Sequence, residues 1–175
     1  MSHLAAPDRA LLEQGGIAIM GEDGQYTAMA LADANWQTTW EVVRDYENFA
    51  NFLPTVISSR IVEAEGNRTV VEQIDSRDVM LTTIESTLLT ENIEKSQEIE
   101  FRLLDGDLEK LEGSWRLDSI ADDNSGLLKT LITQQVTAQA DIGLLDGAFY
   151  SIFESSLKKN LQAIAAEAER RASQG

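Results

Sequence analysis

The apolar residues of this chain keep two rhythms, and the switches between them mark its elements. Residues 15–32, GGIAIMGEDGQYTAMALA, hold two short apolar stretches around the turn GEDG, which predicts a strand pair or one long interrupted strand. Helical spacing follows over 33–46: Trp36, Trp40 and Val43 fall at i, i+4, i+7, with Asp33 or Asn35 available as the N-cap. A second short helical turn carries Phe49, Phe52 and Leu53 and stops at Pro54, which has no N–H to continue it. Residues 1–14 read as a flexible or short helical lead-in.

From 56 to about 139 the period becomes two. TVISSRIVEAEGNRTVVEQID predicts a hairpin with EGN at its tip. The strands VMLTTIESTLLT, SQEIEFRLL, LEKLEGSWRLDSI and LLKTLITQQVTAQA follow, with short polar turns such as DGD and ADDNSG between them. Regular spacing and short connections predict an antiparallel meander. Residues 146–172 return to helical spacing, with Phe149, Ile152, Phe153, Leu157, Leu161 and Ile164 on one arc. Strands first and a long helix last is an α+β plan, in which the helix lays its apolar face on the sheet. No repeat or linker divides the chain, so one domain is expected over 15–172.

Alternation then names an interior. Ile99, Phe101 and Leu103 share one face of their strand; Leu111, Gly113, Trp115 and Leu117 share one face of theirs. In the last strand Leu128, Ile132, Val136 and Ala138 carry Thr130 and Gln134 inward with them. A glutamine on an apolar face costs on the order of 1–3 kcal/mol unless it is hydrogen-bonded or wet. On the helix, Ser156 and Asn160 lie in the middle of the apolar arc, where a dry contact disfavours an asparagine. Either neighbouring backbone or buried water satisfies them, or they join Gln134 and Thr130 as the few polar contacts of a cavity. Gly113 leaves room there for a ligand or accommodates a bend.

Composition narrows the chemistry. Thirty acidic and fourteen basic side chains leave a net charge of −16, so nucleic acid and anionic lipid headgroups are repelled at long range. There is no cysteine, and His3 is the sole histidine, so Ser/His/Asp and Cys/His catalysis and the common zinc sites have no residues to use. No metal site, catalytic set or cofactor is predicted, and the acidic turns lack the spacing of a calcium loop. Glu72 and Glu85 either face the interior as acid–base groups or sit on the solvated face, where a half-buried sheet normally puts them. Arg116 is expected on that outer face, opposite a cross-strand glutamate. No apolar run reaches the roughly 18 residues of a membrane span, and no signal peptide is evident, so a cytoplasmic setting is expected.

WEVVRDYENFANFLPTV resembles the stretch W-x-V-[LI]-x-D-Y-x-x-[FL]-x-x-[FLI]-x-P of the polyketide cyclase/dehydrase and lipid transport group. VVEQI and LEGSWRL resemble its later strand signatures, and KKNLQAIAAEAE its closing helix; the likeness spans roughly residues 15 to 170. That group, which includes coenzyme-Q-binding proteins, belongs to the START/birch-pollen-allergen superfamily. The resemblance implies the helix-grip fold, a curved antiparallel sheet wrapped around a long C-terminal helix, with two short helices after the first strand. It also implies an internal cavity, with Tyr46, Phe52, Phe101, Leu111, Trp115, Thr130, Gln134, Phe149, Phe153, Ser156 and Asn160 as the expected ligand contacts.

Three functions compete. The first is binding or transport of a hydrophobic lipid, quinone or polyketide-like molecule, with transient membrane contact left open. The second is a polyketide aromatase/cyclase or dehydratase using the same cavity. The third is an adaptor that docks another protein on an exposed aromatic patch. Fold alone does not choose among them, and the sequence leaves the oligomeric state open.

Overall fold

The computed structural model describes residues 4–79, 81–121, 126–140 and 146–174. Eight strands form one antiparallel sheet: β1 (Ala18–Glu22), β2 (Gln25–Ala32), β3 (Val56–Glu65), β4 (Arg68–Val79), β5 (Thr82–Glu94), β6 (Glu98–Gly106), β7 (Lys110–Ala121) and β8 (Leu128–Gln139). Their order across the sheet is β1-β2-β8-β7-β6-β5-β4-β3. Helices α1 (Ala6–Glu13), α2 (Trp36–Val43), α3 (Phe49–Phe52) and α4 (Asp146–Ala172) complete the chain, with a 3₁₀ turn over Tyr46–Asn48. This is the helix-grip α+β architecture, a single curved sheet holding a long C-terminal helix.

The first apolar segment is a true strand pair. Asp23 and Gly24, at φ 51° and 86°, form its two-residue turn. Positive φ at both central residues matches the right-handed twist of the flanking strands, which is why an Asp-Gly pair serves there. Of the two cap candidates for α2, Asn35 takes the role, its side chain accepting the Thr38 N–H at 2.9 Å. Trp36 and Trp40 stack at 5.0 Å, and Trp36 Nε1 donates to the Leu117 carbonyl at 3.2 Å, which fixes α2 to β7. Leu53 after α3 is already extended, as the residue before a proline must be.

The lead-in is docked rather than loose: α1 buries Leu12 against Ala18, Met29, Leu31 and Leu131 on the outer face of the sheet. On the inner face β2 presents Ala28, Ala30 and Ala32, and α4 answers with Ile164, Ala165 and Ala168. Short side chains on the strand let the C-terminal half of α4 lie close. The N-terminal half meets larger groups, Phe153 and Leu157 against Tyr26, Phe101 and Val136. Close approach at one end and bulky rings at the other hold the helix off β4 to β7, and a cavity remains in between.

Candidate functional site

The space between α4 and the sheet is a cavity of about 140 Å³. Inward residues of five strands floor it: Val71, Gln73, Asp75 and Arg77 of β4, Leu88, Thr90 and Asn92 of β5, Phe101 of β6, Leu111 and Trp115 of β7, and Gln134 and Val136 of β8. Phe153, Leu157, Asn160 and Ile164 of α4 roof it, and Val43, Tyr46, Phe49 and Leu53 close one side.

Seven of the eleven residues expected as contacts line this space: Tyr46, Phe101, Leu111, Trp115, Gln134, Phe153 and Asn160. Four do not. Thr130 shares the face of Gln134, but it is fully buried and donates its hydroxyl to the Ala34 carbonyl at 2.8 Å, so it locks β8 to the start of α2. Ser156 donates to Ile152 O at 2.9 Å, one turn back in its own helix. Phe149 stacks on Phe153 at 5.8 Å, behind the cavity wall. Phe52 meets Phe49 edge-on at 5.8 Å and carries the Arg171 guanidinium over its ring at 5.6 Å.

Gly113 has a different task from either one expected of it. A Cβ there would lie 1.9 Å from the Gln135 carbonyl oxygen and 2.9 Å from Phe101 Cζ, so the missing side chain admits the neighbouring backbone and the Phe101 ring. Glu72 points outward and pairs with Arg60 at 2.8 Å, and Glu85 is exposed. Arg116 is on the outer face as expected, where the cross-strand Glu98 directly opposite it on β6 adds an attractive charge, but its hydrogen-bonded ion pair is with Asp118, two residues along its own strand at 3.1 Å. The ADDN turn lies largely outside the described residues.

The polar groups that alternation did not single out are the most informative. Asp75 and Arg77 form an ion pair at 3.0 Å with side-chain exposures of only 5% and 13%. Gln73 Nε2 donates to the other Asp75 oxygen at 2.7 Å. The Arg77 guanidinium lies 5.9 Å from the centre of the Phe153 ring, a cation–π distance. Burial pushes the Asp75 carboxyl above its usual range, and Arg77 and Gln73 pull it back only in part. At the far side Asn160 Nδ2 donates to Thr55 Oγ1 at 2.8 Å, which joins α4 to the segment after α3. Burial also drives the Tyr46 hydroxyl well above its ordinary pKa, with Glu94 adding to the effect and Arg44 opposing it. Its oxygen finds no hydrogen-bond partner among the described residues.

A second tie holds the covering segment to α4. Arg171 donates to Asp45 Oδ2 and to Glu167 Oε1, each at 2.7 Å, and Arg170 shares Glu167 at 2.7 Å. Hydrogen bonding from Arg170, with Arg171 in support, holds the Glu167 carboxyl at about 2 instead of its ordinary 4.5. A depressed carboxyl pKa adds stability that is complete above the unfolded value and disappears as pH falls through the folded one. The gap in thermal stability between the parent and Glu167→Gln is therefore expected to shrink from about pH 5 to about pH 2. A gap that stays constant over that range would show that the ion cluster adds nothing.

Among the described residues no three His, Cys, Asp or Glu side chains converge as metal ligands, and no helix is long and apolar enough to cross a membrane. The folds of several solved structures are similar to this one. TTHA0849 of Thermus thermophilus is 19% identical, with a TM-score of 0.66 over 85% of this chain and 96% of that one. The Zhui aromatase/cyclase of Streptomyces sp. R1128 is 20% identical, with a TM-score of 0.62 over 89% and 95%. A STAR-related lipid transfer protein of Xanthomonas axonopodis is 10% identical, with a TM-score of 0.61 over 87% and 92%. In sequence, 100 residues are 29% identical to the persistence and stress-resistance toxin PasT of Escherichia coli O6:H1, which covers 57% of this chain and 61% of the toxin. Residues 33–165, from just before α2 into the last third of α4, match the family described as polyketide cyclase / dehydrase and lipid transport, and the chain belongs to that family.

Proposed function

We propose that this protein binds a hydrophobic small molecule, a lipid, quinone or polyketide-like compound, in the cavity beneath α4, and carries or shelters it there. The observation that supports this reading most is the lining itself: apolar and aromatic side chains from sheet and helix around a few inward polar groups. An engineered cavity of roughly 150 Å³ takes up benzene, so the form described here suits one ring or a short stretch of chain. A longer ligand needs the segment 45–55 or α4 to move. The net charge of −16 argues against nucleic acid as a partner, and a chain without cysteine suits the cytoplasm.

A cyclase or dehydratase is the second reading, and Asp75 is what favours it. An inward carboxyl with a raised pKa, beside an arginine and within the same cavity as Tyr46, is a group able to exchange a proton with a bound ketone.

Native mass spectrometry of the protein from its own source, followed by solvent extraction, is expected to release one hydrophobic compound. Independently, excess ethylbenzene is expected to raise Tm through linkage, by about 1.4 kcal/mol of stability at ten times Kd. Filling the cavity with Val136→Phe is expected to abolish that rise. An empty protein whose Tm responds to no hydrophobic compound would sink the binding reading.

A further inference from the structure

The sheet has three hairpin connections of two residues, and one of them breaks the rule that the other two keep. Asp23-Gly24 joins β1 to β2 and Gly66-Asn67 joins β3 to β4, each with a glycine at positive φ, as so tight a turn favours. Met80-Leu81 joins β4 to β5 and offers neither a glycine nor a polar side chain suited to a turn. The Leu81 side chain is fully exposed, and Ile84, opposite Arg77 in the same hairpin, is 47% exposed. Nothing in the fold calls for apolar residues at this tip, and a local rule broken without a structural gain points to function.

The surroundings of the tip restrict what it can meet. A Cβ on Gly24 would lie 2.8 Å from the Tyr150 ring, so the β1–β2 turn abuts the start of α4. In the β6–β7 loop, Glu109 donates its N–H to the Gln139 carbonyl at the end of β8, and Asp107 accepts the Thr87 N–H of β5 at 2.7 Å. Arg77 of the β4–β5 hairpin lies over Phe153 in the first third of α4. These contacts gather the turn, the loop and the hairpin at one end of the molecule. That end is acidic: the turn brings Glu22 and Asp23, and the hairpin Asp78 and Glu85. The loop adds Asp105, Asp107 and Glu109. All of these carboxylates are exposed, and none has an ion-pair partner among the described residues. The cations of the adjoining elements are already committed, Lys110 to Glu112 and Lys158 to Glu154 at 2.8 Å, and Arg77 to Asp75.

A lipid surface suits this arrangement poorly. Anchoring in a bilayer sinks an apolar side chain about 5–10 Å into the boundary of headgroups and acyl chains. Asp78 pairs with Thr83, one rung behind the Val79–Thr82 pair that ends the ladder. At about 3.3 Å of strand per residue its carboxylate would follow Leu81 into the interface and lose hydration. An anionic leaflet would repel the whole end. In a two-fold dimer a second copy would bring its own acidic end against this one. A protein surface with an apolar recess ringed by lysine and arginine gains from both features, an anchor at the centre and opposite charge around it. We infer that this end of the molecule docks a basic protein, with Leu81 as the anchor that enters the partner and the surrounding carboxylates as its complementary rim. Nothing in this surface depends on what the cavity holds.

The photo-crosslinker p-benzoylphenylalanine, placed at position 81 of the full chain in cells of its own source, is expected to capture a basic protein. The same group at Val62, which is 42% exposed on β3, is expected not to capture it. The captured protein, once identified and purified, is titrated calorimetrically with the parent chain and two variants. Leu81→Ser is expected to weaken binding by about 10-fold or more, the scale of one buried leucine. Glu22→Gln/Glu85→Gln/Glu109→Gln is expected to slow association and to flatten its dependence on salt, as the loss of rim charges does. Every residue changed is exposed, so the Tm of both variants should match that of the parent. In flotation, vesicles of phosphatidylcholine, with or without phosphatidylglycerol, are expected to leave the chain in solution. Crosslinking from position 81 to phospholipid, together with flotation on the vesicles, would overturn the inference and assign the tip to a membrane. No product at 81 beyond that at 62 would overturn it, as would a captured protein whose affinity Leu81→Ser leaves unchanged.

Discussion

Arg77→Met is expected to destabilise the protein by about 3–5 kcal/mol at neutral pH, the scale found when one partner of a buried ion pair is removed. Asp75 would keep the Gln73 hydrogen bond but lose its counter-charge in a site where its side chain is 5% exposed. Its carboxyl, already raised by burial, would rise further. The sign of the pH dependence follows: a carboxyl whose folded pKa exceeds its unfolded value favours folding when protonated. The variant should therefore recover stability as pH falls through the raised folded pKa, and the deficit should be complete above it. Urea denaturation of the parent, Arg77→Met and Asp75→Leu/Arg77→Met at two pH values checks this. The double variant is expected to recover most of the loss, because no buried charge remains. A double variant no more stable than Arg77→Met would mean that packing, not charge, sets the cost.

Gly113→Ala is expected to cost about 3 kcal/mol, at the upper end for overpacking, because one of the atoms it strikes is backbone. The added methyl would lie 1.9 Å from the Gln135 carbonyl oxygen, so β7 and β8 would have to separate where Gly113 pairs with Val136. It would also press on Phe101 Cζ at 2.9 Å. Relief at the ring alone, as in Gly113→Ala/Phe101→Leu, should restore only a minor part, because the carbonyl contact remains. Full restoration by that second change would show that β7 and β8 yield easily and that the ring was the obstacle. Chemical denaturation of the three proteins decides it.

The faces of β6, β7 and most of β8 were readable from alternation, because each sets apolar residues such as Phe101, Trp115 and Val136 against charged or polar ones; Leu128, expected inward at the start of β8, is instead 56% exposed, and Leu131 on the opposite face is buried under α1. On β4 the same rule fails. Val70 and Ile74 share one parity with Arg68, Glu72 and Asp78, and Val71 shares the other, cavity-facing one with Gln73, Asp75 and Arg77, so both faces mix apolar and charged residues. A strand that supplies a site's polar groups loses the usual sorting, so alternation could not tell the residues with the most chemistry from solvated surface. Asn160 and Gln134 were legible for the opposite reason: each interrupts an apolar face. Thr130 and Ser156 interrupt such faces too, but their short hydroxyls find backbone carbonyls within reach, Ala34 and Ile152. Phe52 and Phe149 share the aromatic character of the lining; only the tertiary arrangement of α3 and α4 turns their rings away from it.

The order of strands also has a kinetic meaning. From β3 to β8 every pairing joins neighbours in the chain, and each hairpin can form as soon as it exists. The exception is β2 with β8, where Ala32 must find Thr130 and Gln25 must find Thr137. Closing so long a loop is entropically unfavourable until the meander has supplied a partner. The N-terminal hairpin is therefore expected to join last, together with α4, which packs on it. In pulsed hydrogen exchange during refolding, amides of β4 to β7 should gain protection before those of β2; simultaneous protection would place the long-range seam in the folding nucleus instead. During synthesis the earliest part of the sheet must wait for the latest, and the cavity can close only once α4 has been made.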